Sequence, residues 1–336
     1  MGVALAHVGW DDEHAAQLRT AQQAELRERY GDDDIGHEMT GESIVAMVVL
    51  REDDEPVACV ALRDASDELG AGVAEVKRLY TVPGARGRGH SRRVMLELER
   101  LAHEQGWTRL VLETGVLQPE AIGLYLSLGY RSIPNYAEYV DEPSSRCFAK
   151  DLTASAARER PSAHGRRPLA VEGGRSLVIE TVGWDDDTAV ALRRAMWAWN
   201  TRTYPELVTD EPDHGFASDD ARQRTGELVT WVARLDDEPV GCLTLRAPRD
   251  GYPDGSVELK KLYVTDQARG AGVARSLLAT AHDEARARGF TTAVLGTGIR
   301  QPEAITLYLS DGYRPIRPFT NPARDFITLW FARPLH

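Results

Sequence analysis

The chain has 336 residues, 42% of them hydrophobic and 27% charged, with a formal net charge of −12. That length suits two ordinary domains, and the composition is that of a soluble globular protein. The acid excess disfavours nucleic acid and anionic lipid and favours cationic partners, though it also serves solubility; no apolar run approaches a membrane span, and three scattered cysteines support neither a disulfide framework nor a zinc site.

Taken in order, the N-terminus MGVALAHVGWDDE lacks the basic start and long apolar segment of a signal peptide, so a cytosolic location is expected. A short strand leads to the GWDD turn, where Asp11 or Asp12 can cap the following helix. SIVAMVVL and PVACVAL read as strands joined by a charged turn, with Cys59 as a small buried apolar residue. EVKRLYTV is a longer strand; a Gly-rich turn then opens a helix over 88–105, with Gly106 as its stop. RLVLET is a strand, and PEAIGLYLSLG a helix with Pro in its first turn and Gly at its end. Three strands, helix, strand, helix and strand predict a mixed α/β sheet.

After residue 152 the pattern stops. Residues 153–175, TASAARERPSAHGRRPLAVEGGR, have linker composition. Then the pattern returns: QPEAIGLYLSLGY at 118–130 becomes QPEAITLYLSDGY at 301–313, EVKRLY becomes ELKKLY, DDEPVACVALR becomes DDEPVGCLTLR, and HVGWDD becomes TVGWDD. A period of roughly 180 residues is a duplicated domain, not a solenoid repeat. The expected division is 1–152, linker 153–175 and 176–336.

The Gly-rich turn reads RGRGHS at 86–91 and RGAGVA at 269–274. Each follows a strand and opens a helix, whose first amides lack internal partners and lie at the positive end of the helix dipole. Glycines let a ligand approach closely, which makes an anion cradle suited to a pyrophosphate; tight packing would explain the same glycines. No GK[ST] follows, so it is not a Walker loop, and its strand comes too late for a dinucleotide fingerprint.

The order Arg-x-x-Gly-x-Gly/Ala after E-[LV]-K-x-L-Y, then L-x-T-G-x-x-Q-P-E-A-I-x-L-Y-x-x-x-G-Y, resembles the GNAT superfamily of acetyl-CoA-dependent N-acetyltransferases, twice over. The tandem arrangement is similar in outline to mycothiol synthase. The resemblance implies two domains, each a mostly antiparallel, splayed mixed sheet flanked by helices. It implies that acetyl-CoA is the co-substrate and that no metal is needed. The amides of Arg86, Gly87, Arg88, Gly89, His90 and Ser91, and of Arg269, Gly270, Ala271, Gly272, Val273 and Ala274, would hold the CoA pyrophosphate; Ser91 departs from the family's Gly or Ala. Leu79, Tyr80 and Thr81, with Leu262, Tyr263 and Val264, would pair with the pantetheine arm. The amide of Leu79 or Leu262 would polarise the thioester carbonyl. Gln118 and Gln301 stand where the family often has a pantetheine-touching Asn.

The same resemblance assigns catalysis. An amine must lose a proton before it attacks, and Glu75 and Glu258 match the family's strand base. The plain reading is a surface carboxylate paired with Lys77 or Lys260. Glu113 is a rival base in the first half, with Gly296 in its place in the second. Tyr125 and Tyr308 match the helix tyrosine that reprotonates the departing thiolate; packing by the ring alone is the plainer alternative. The halves differ after the GWDD turn, where the first has an acidic stretch (Asp32, Asp33, Asp34, Glu38) and the second an aromatic one (Trp197, Trp199, Tyr204), and this segment is expected to wall the acceptor. The expected activity is acetyl transfer from acetyl-CoA to a primary amine of a small molecule in a ternary complex. The alternatives are a protein N-terminal or lysine acetyltransferase, a mycothiol-synthase-like enzyme, or a CoA-binding protein with one silent half.

Overall fold

The computed structural model describes residues 2–31, 41–152, 175–205, 215–319 and 327–336. Among these, residues up to 152 form one compact unit and those from 175 onward another. The first unit runs β1 (Val3–Val8), α1 (Glu13–Tyr30), β2 (Ile44–Glu52), β3 (Glu55–Asp64), α2 (Ser66–Leu69), β4 (Val73–Thr81), α3 (His90–Glu104), β5 (Arg109–Gly115), α4 (Pro119–Ser127), β6 (Arg131–Ile133) and β7 (Ser145–Asp151). The second runs β8 (Leu177–Val182), α5 (Asp187–Thr203), α6 (Phe216–Arg224), β9 (Glu227–Leu235), β10 (Glu238–Arg246), β11 (Ser256–Val264), α7 (Val273–Ala287), β12 (Thr292–Gly298), α8 (Pro302–Ser310), β13 (Arg314–Ile316) and β14 (Thr328–Pro334).

Repeated sequence builds repeated geometry. Asp12 and Asp186, rather than the aspartates before them, cap α1 and α5 by accepting from the amides of Ala15 (2.9 Å) and Ala189 (3.0 Å). The DDEP turns place both aspartates at positive φ, Asp53 and Asp54 at 51° and 70° and Asp236 and Asp237 at 53° and 67°. That is the twist a two-residue hairpin needs, and Asp tolerates it. Each unit holds a seven-stranded sheet, ordered β1-β2-β3-β4-β5-β7-β6 and β8-β9-β10-β11-β12-β14-β13. Every neighbouring pair is antiparallel except β4–β5 and β11–β12. The runs in β2, β3 and β10 are buried on both faces. Ala15 and Leu18 of α1 pack on Met47, Val49, Cys59 and Ala61, while α3 also packs on β2, β3 and β4.

Two departures from regular pairing shape the site. β4 pairs with β5 only from Val73 to Glu75, and β11 with β12 only from Ser256 to Glu258. Beyond that the strands run on to Thr81 and Gly115, and to Val264 and Gly298, without bonding each other, so each sheet opens into a V. The second departure is a bulge. Register slips between Cys59 and Ala61 and between Cys242 and Thr244, where Arg78 and Lys261 take φ of 57° and 58°. The fold is therefore the expected mixed sheet, with short extra strands β6 and β13 and the helices α2 and α6 added.

Candidate active site

The glycine loops sit at the mouth of each V. Gly87 and Gly89 have φ of 76° and 80°, Gly270 and Gly272 81° and 79°. Only glycine adopts these angles without strain. A Cβ at any of the four would meet no atom within 4 Å, so packing does not explain them and the loop faces open space. Gly89 and Gly272 are the N-caps of α3 and α7, and no side chain bonds the first-turn amides there. These amides fit an anion. The flanking arginines are tied down: Arg86 to the Thr81 carbonyl (3.0 Å) and to Glu25, Arg88 to Glu52, and Arg269 to Asp266 (2.8 Å). The His90 imidazole is buried with no hydrogen-bond partner among the described residues, and burial lowers its pKa. The Ser91 departure is matched by its neighbour. Ser91 Oγ bonds Thr81 Oγ1 at 2.8 Å, and the second unit has Ala274 and Val264 at these places, a polar pair exchanged for an apolar one.

On β4 the register assigns backbone directions. The Val82 amide bonds the Val57 carbonyl (3.0 Å), so Tyr80 and Val82 turn to β3 while Leu79 and Thr81 turn toward the open V. Thr265 and Val240 (2.8 Å) repeat this for Leu262 and Val264. The Leu79 carbonyl accepts from Gln22 Nε2 at 2.9 Å, a tie from α1 that Met196 cannot make in the second unit. Gln301 is tied toward α5, its Nε2 3.4 Å from Asn200 Oδ1, and Thr297 Oγ1 donates to its Oε1 at 3.2 Å. Gln118 likewise faces Tyr30 of α1.

Tyr125 and Tyr308 are buried on α4 and α8. Each ring stands edge-on to a second tyrosine, Tyr130 at 5.9 Å and Tyr313 at 5.7 Å. No hydrogen bond ties either hydroxyl to another described residue. Burial pushes both phenols well above their ordinary pKa, with the Glu113 charge adding to the effect at Tyr125. A phenol so placed stays protonated, and the same burial makes it a weaker acid.

Glu75 and Glu258 sit at the apex of each V as the last paired residues of β4 and β11. They are not surface carboxylates. Both are fully buried. Arg63 donates to Glu75 Oε2 from Nε (2.9 Å) and a terminal nitrogen (2.7 Å). Oε1 takes the Tyr136 hydroxyl (2.8 Å) and lies 3.1 Å from Lys77 Nζ. Glu258 repeats the cluster with Arg246 (Nε 2.9 Å), Tyr252 (2.9 Å) and Lys260 (3.2 Å). Burial alone would raise the Glu258 pKa. The charges of Lys260 and Arg246 and the hydrogen bonds outweigh it and hold the carboxyl below its usual range. The arginines and phenols were not singled out from sequence; the only signal was the repeated LR at the end of β3 and β10.

Glu113 also faces the V. It lies half-buried two residues past the last β5 partner and accepts from Ser145 Oγ at 2.5 Å. Of the expected acceptor wall, Trp197 and Trp199 are half-buried on α5. Tyr204 is instead an anchor, 2% exposed, whose hydroxyl accepts the Arg300 amide at 2.9 Å. Tyr30 does the same for Leu117 at 3.0 Å. These hydroxyls fill the space over Gly115 and Gly298, so a wall role for Tyr204 is corrected. Asp32, Asp33, Asp34 and Glu38 lie outside the described residues.

Comparison with known proteins finds several similar chains. IAA acetyltransferase of Azospirillum brasilense is 36% identical over 104 residues, covering 31% of this chain and 66% of that protein. N-acetyltransferase 8 of Rattus norvegicus is 38% identical over 87 residues, covering 25% of this chain and 38% of that protein. The chain thus spans less than two thirds of either relative. Among solved structures, the PaiA N-acetyltransferase from Thermoplasma acidophilum, in complex with coenzyme A, aligns with a TM-score of 0.36 and 16% identity over 47% of this chain and 99% of that one. Residues 10–130 and again 193–313 match the Acetyltransferase (GNAT) family, well over half of the chain. The chain belongs to that family of acetyltransferases and carries it in two copies.

Proposed function

We propose that each unit transfers an acetyl group from acetyl-CoA to a primary amine of a small molecule, with domain boundaries at 152/153 and 175/176. The observation that carries this is the V itself, an unpaired strand edge leading from an open glycine loop to a buried carboxylate, present twice. The loop amides from Arg86 to Ser91 and from Arg269 to Ala274 would hold the pyrophosphate, and the Leu79–Thr81 and Leu262–Val264 edges the pantetheine. Acetyl-CoA supplies an activated acyl group. The chain's own residues manage two protons. Tyr125 and Tyr308 donate one to the departing sulfur. Glu75 and Glu258, shut away from solvent, receive the other through the hydroxyls of Tyr136 and Tyr252, which already donate to them. The name of the Azospirillum relative, IAA acetyltransferase, supports a small-molecule acceptor.

The test is acetyl-CoA consumption across a panel of amines, then of peptides, with calorimetry of CoA binding alongside. The expected result is transfer to free amines and about two CoA sites per chain, one for each anion cradle. Transfer confined to peptides would overturn the acceptor class. A stoichiometry of one, unchanged when the Gly270–Gly272 loop is destroyed, would overturn the second site.

A further inference from the structure

The strand edge that leads into the V is in a different state in each unit. In the first, both carbonyls that turn toward the V are taken by the chain's own side chains. The Leu79 carbonyl accepts from Gln22 Nε2 of α1 at 2.9 Å, and the Thr81 carbonyl accepts from Arg86 Nε of the glycine loop at 3.0 Å. Arg86 is bound in turn by Glu25, one turn along α1 from Gln22, and Arg29 braces Glu25 at 2.7 Å. Gln22, Glu25 and Arg29 share one stripe of α1, and that stripe fastens both the strand edge and the loop.

The second unit lacks the fastening. Its stripe reads Met196, Trp199 and Thr203. Met196 has no N–H to give, and Trp199 has no carboxylate for a loop arginine, so Arg269 pairs with Asp266 of its own loop. Among the described residues no side chain bonds the Leu262 or Val264 carbonyl. Burial divides the same way: Tyr80 and Thr81 are buried, whereas Tyr263 and Val264 are half-buried.

Resting on the reading that a pantetheine arm pairs with these edges, we propose that Gln22, backed by the Arg86 bond to Thr81, is a latch over the donor site of the first unit, and that the second unit, having none, binds CoA more tightly. An amide N–H of the arm would pair with a free V-facing carbonyl as a neighbouring strand does. At Leu79 the carboxamide N–H of Gln22 already fills that place. Where it stands, Gln22 offers the arm nothing in exchange, because its Oε1 is closed to solvent and bonds no donor. The same half-satisfied amide gives up a single bond when it swings away, so the latch can open. The apparent affinity of the first unit is its intrinsic affinity reduced by the fraction of chains with the latch open. The second unit therefore fills at low acetyl-CoA and the first only when the donor is abundant.

The experiment is calorimetry on the full chain with CoA and with ADP, which carries a diphosphate without the arm. The first site is read in a Gly272→Val background and the second in Gly89→Val, with thermal melts to show that each variant is folded. Gln22→Met should tighten CoA at the first site roughly fivefold, and Met196→Gln should loosen it at the second by a similar factor, with ADP unchanged in both. Weaker CoA binding in Gln22→Met would make Gln22 a contact of the arm and overturn the latch. No change, or an equal change for ADP, would overturn it as well. Acetyl transfer is followed on the same proteins: affinity shifts as expected, without transfer to any amine, uphold the latch and overturn the transfer reading alone.

Discussion

Glu258 and Tyr308 lie in one cleft yet stand in opposite electrostatic positions. The carboxylate is wrapped by Arg246, Lys260 and Tyr252, whereas the phenol hydroxyl has no described partner. Their substitutions should therefore separate. Glu258→Gln leaves two cations beside a neutral amide, a loss of about 3–5 kcal/mol when a buried pair is broken from one side. Its melt should fall together with its turnover. Tyr308→Phe removes no bond, so the melt should move by less than about 1 kcal/mol while turnover drops on the order of a hundredfold. Equal melts and unequal rates across the two variants would show that the buried cluster is not structural. His282 gives a pH-dependent counterpart. Its Nδ1 lies 2.7 Å from an Arg333 nitrogen, which can only donate, and its Nε2 2.8 Å from the Tyr313 hydroxyl, with Asp311 3.8 Å away. Burial first, then the charges of Arg333 and Arg286, lower its pKa to about 3. The unfolded chain takes up this proton near pH ~6.5 and the folded one only near 3, so the contribution is complete above ~6.5 and lost as pH falls. The second unit's melt should slope by up to about 1.4 kcal/mol per pH unit across that window. The first unit carries Glu99 bonded to Lys150 at the equivalent place, so its melt should lack this contribution and keep only that of His90, whose pKa burial also lowers. A His282→Phe variant with the same slope would remove His282 as the cause.

At the scale of elements, the loop and the helix it caps act together. In Gly272→Val the new Cβ meets no atom within 4 Å, so the protein should fold, with left-handed strain of about 1–2 kcal/mol at that residue. The new side chain occupies space from which a phosphate would reach the α7 amides. CoA affinity of the second unit should fall at least tenfold by calorimetry, and an unchanged affinity would remove the loop from the binding site. Most elements were legible because their signals are local: the capped GWDD turn, the DDEP hairpin, the glycine before α3, the proline opening α4. α6 was not, because FASDDARQR has no apolar period and buries only Asp220, which reaches Arg193 at 2.7 Å. β6 and β13, three residues each, are too short to show alternation. Of the candidate site, the glycines, glutamates and tyrosines were singled out from sequence and their partners were not. Tyr136 meets Glu75 across 61 residues, and nothing in the neighbourhood of either predicts the contact.

At the scale of the whole chain, each unit contains its own loop, strand edge, carboxylate and phenol, so each has the parts for its own site. The phenol that serves the buried glutamate, however, changes hands. In the first unit it is Tyr136, after β6; in the second it is Tyr252, before β11, and Phe319 stands where Tyr136 would be. The place equivalent to Tyr252 is Leu69, which packs on the same apolar cluster as Tyr136, so the two positions are neighbours. Without either tyrosine that carboxylate oxygen would keep only its lysine, 3.1 Å away in the first unit. The two positions should therefore be able to stand in for one another. Tyr136→Phe should cost the first unit about 1–3 kcal/mol and much of its turnover. Adding Leu69→Tyr should restore most of both, although Leu69→Tyr by itself does little. Additive effects in that double-mutant cycle would mean that the two hydroxyls never stood in for one another.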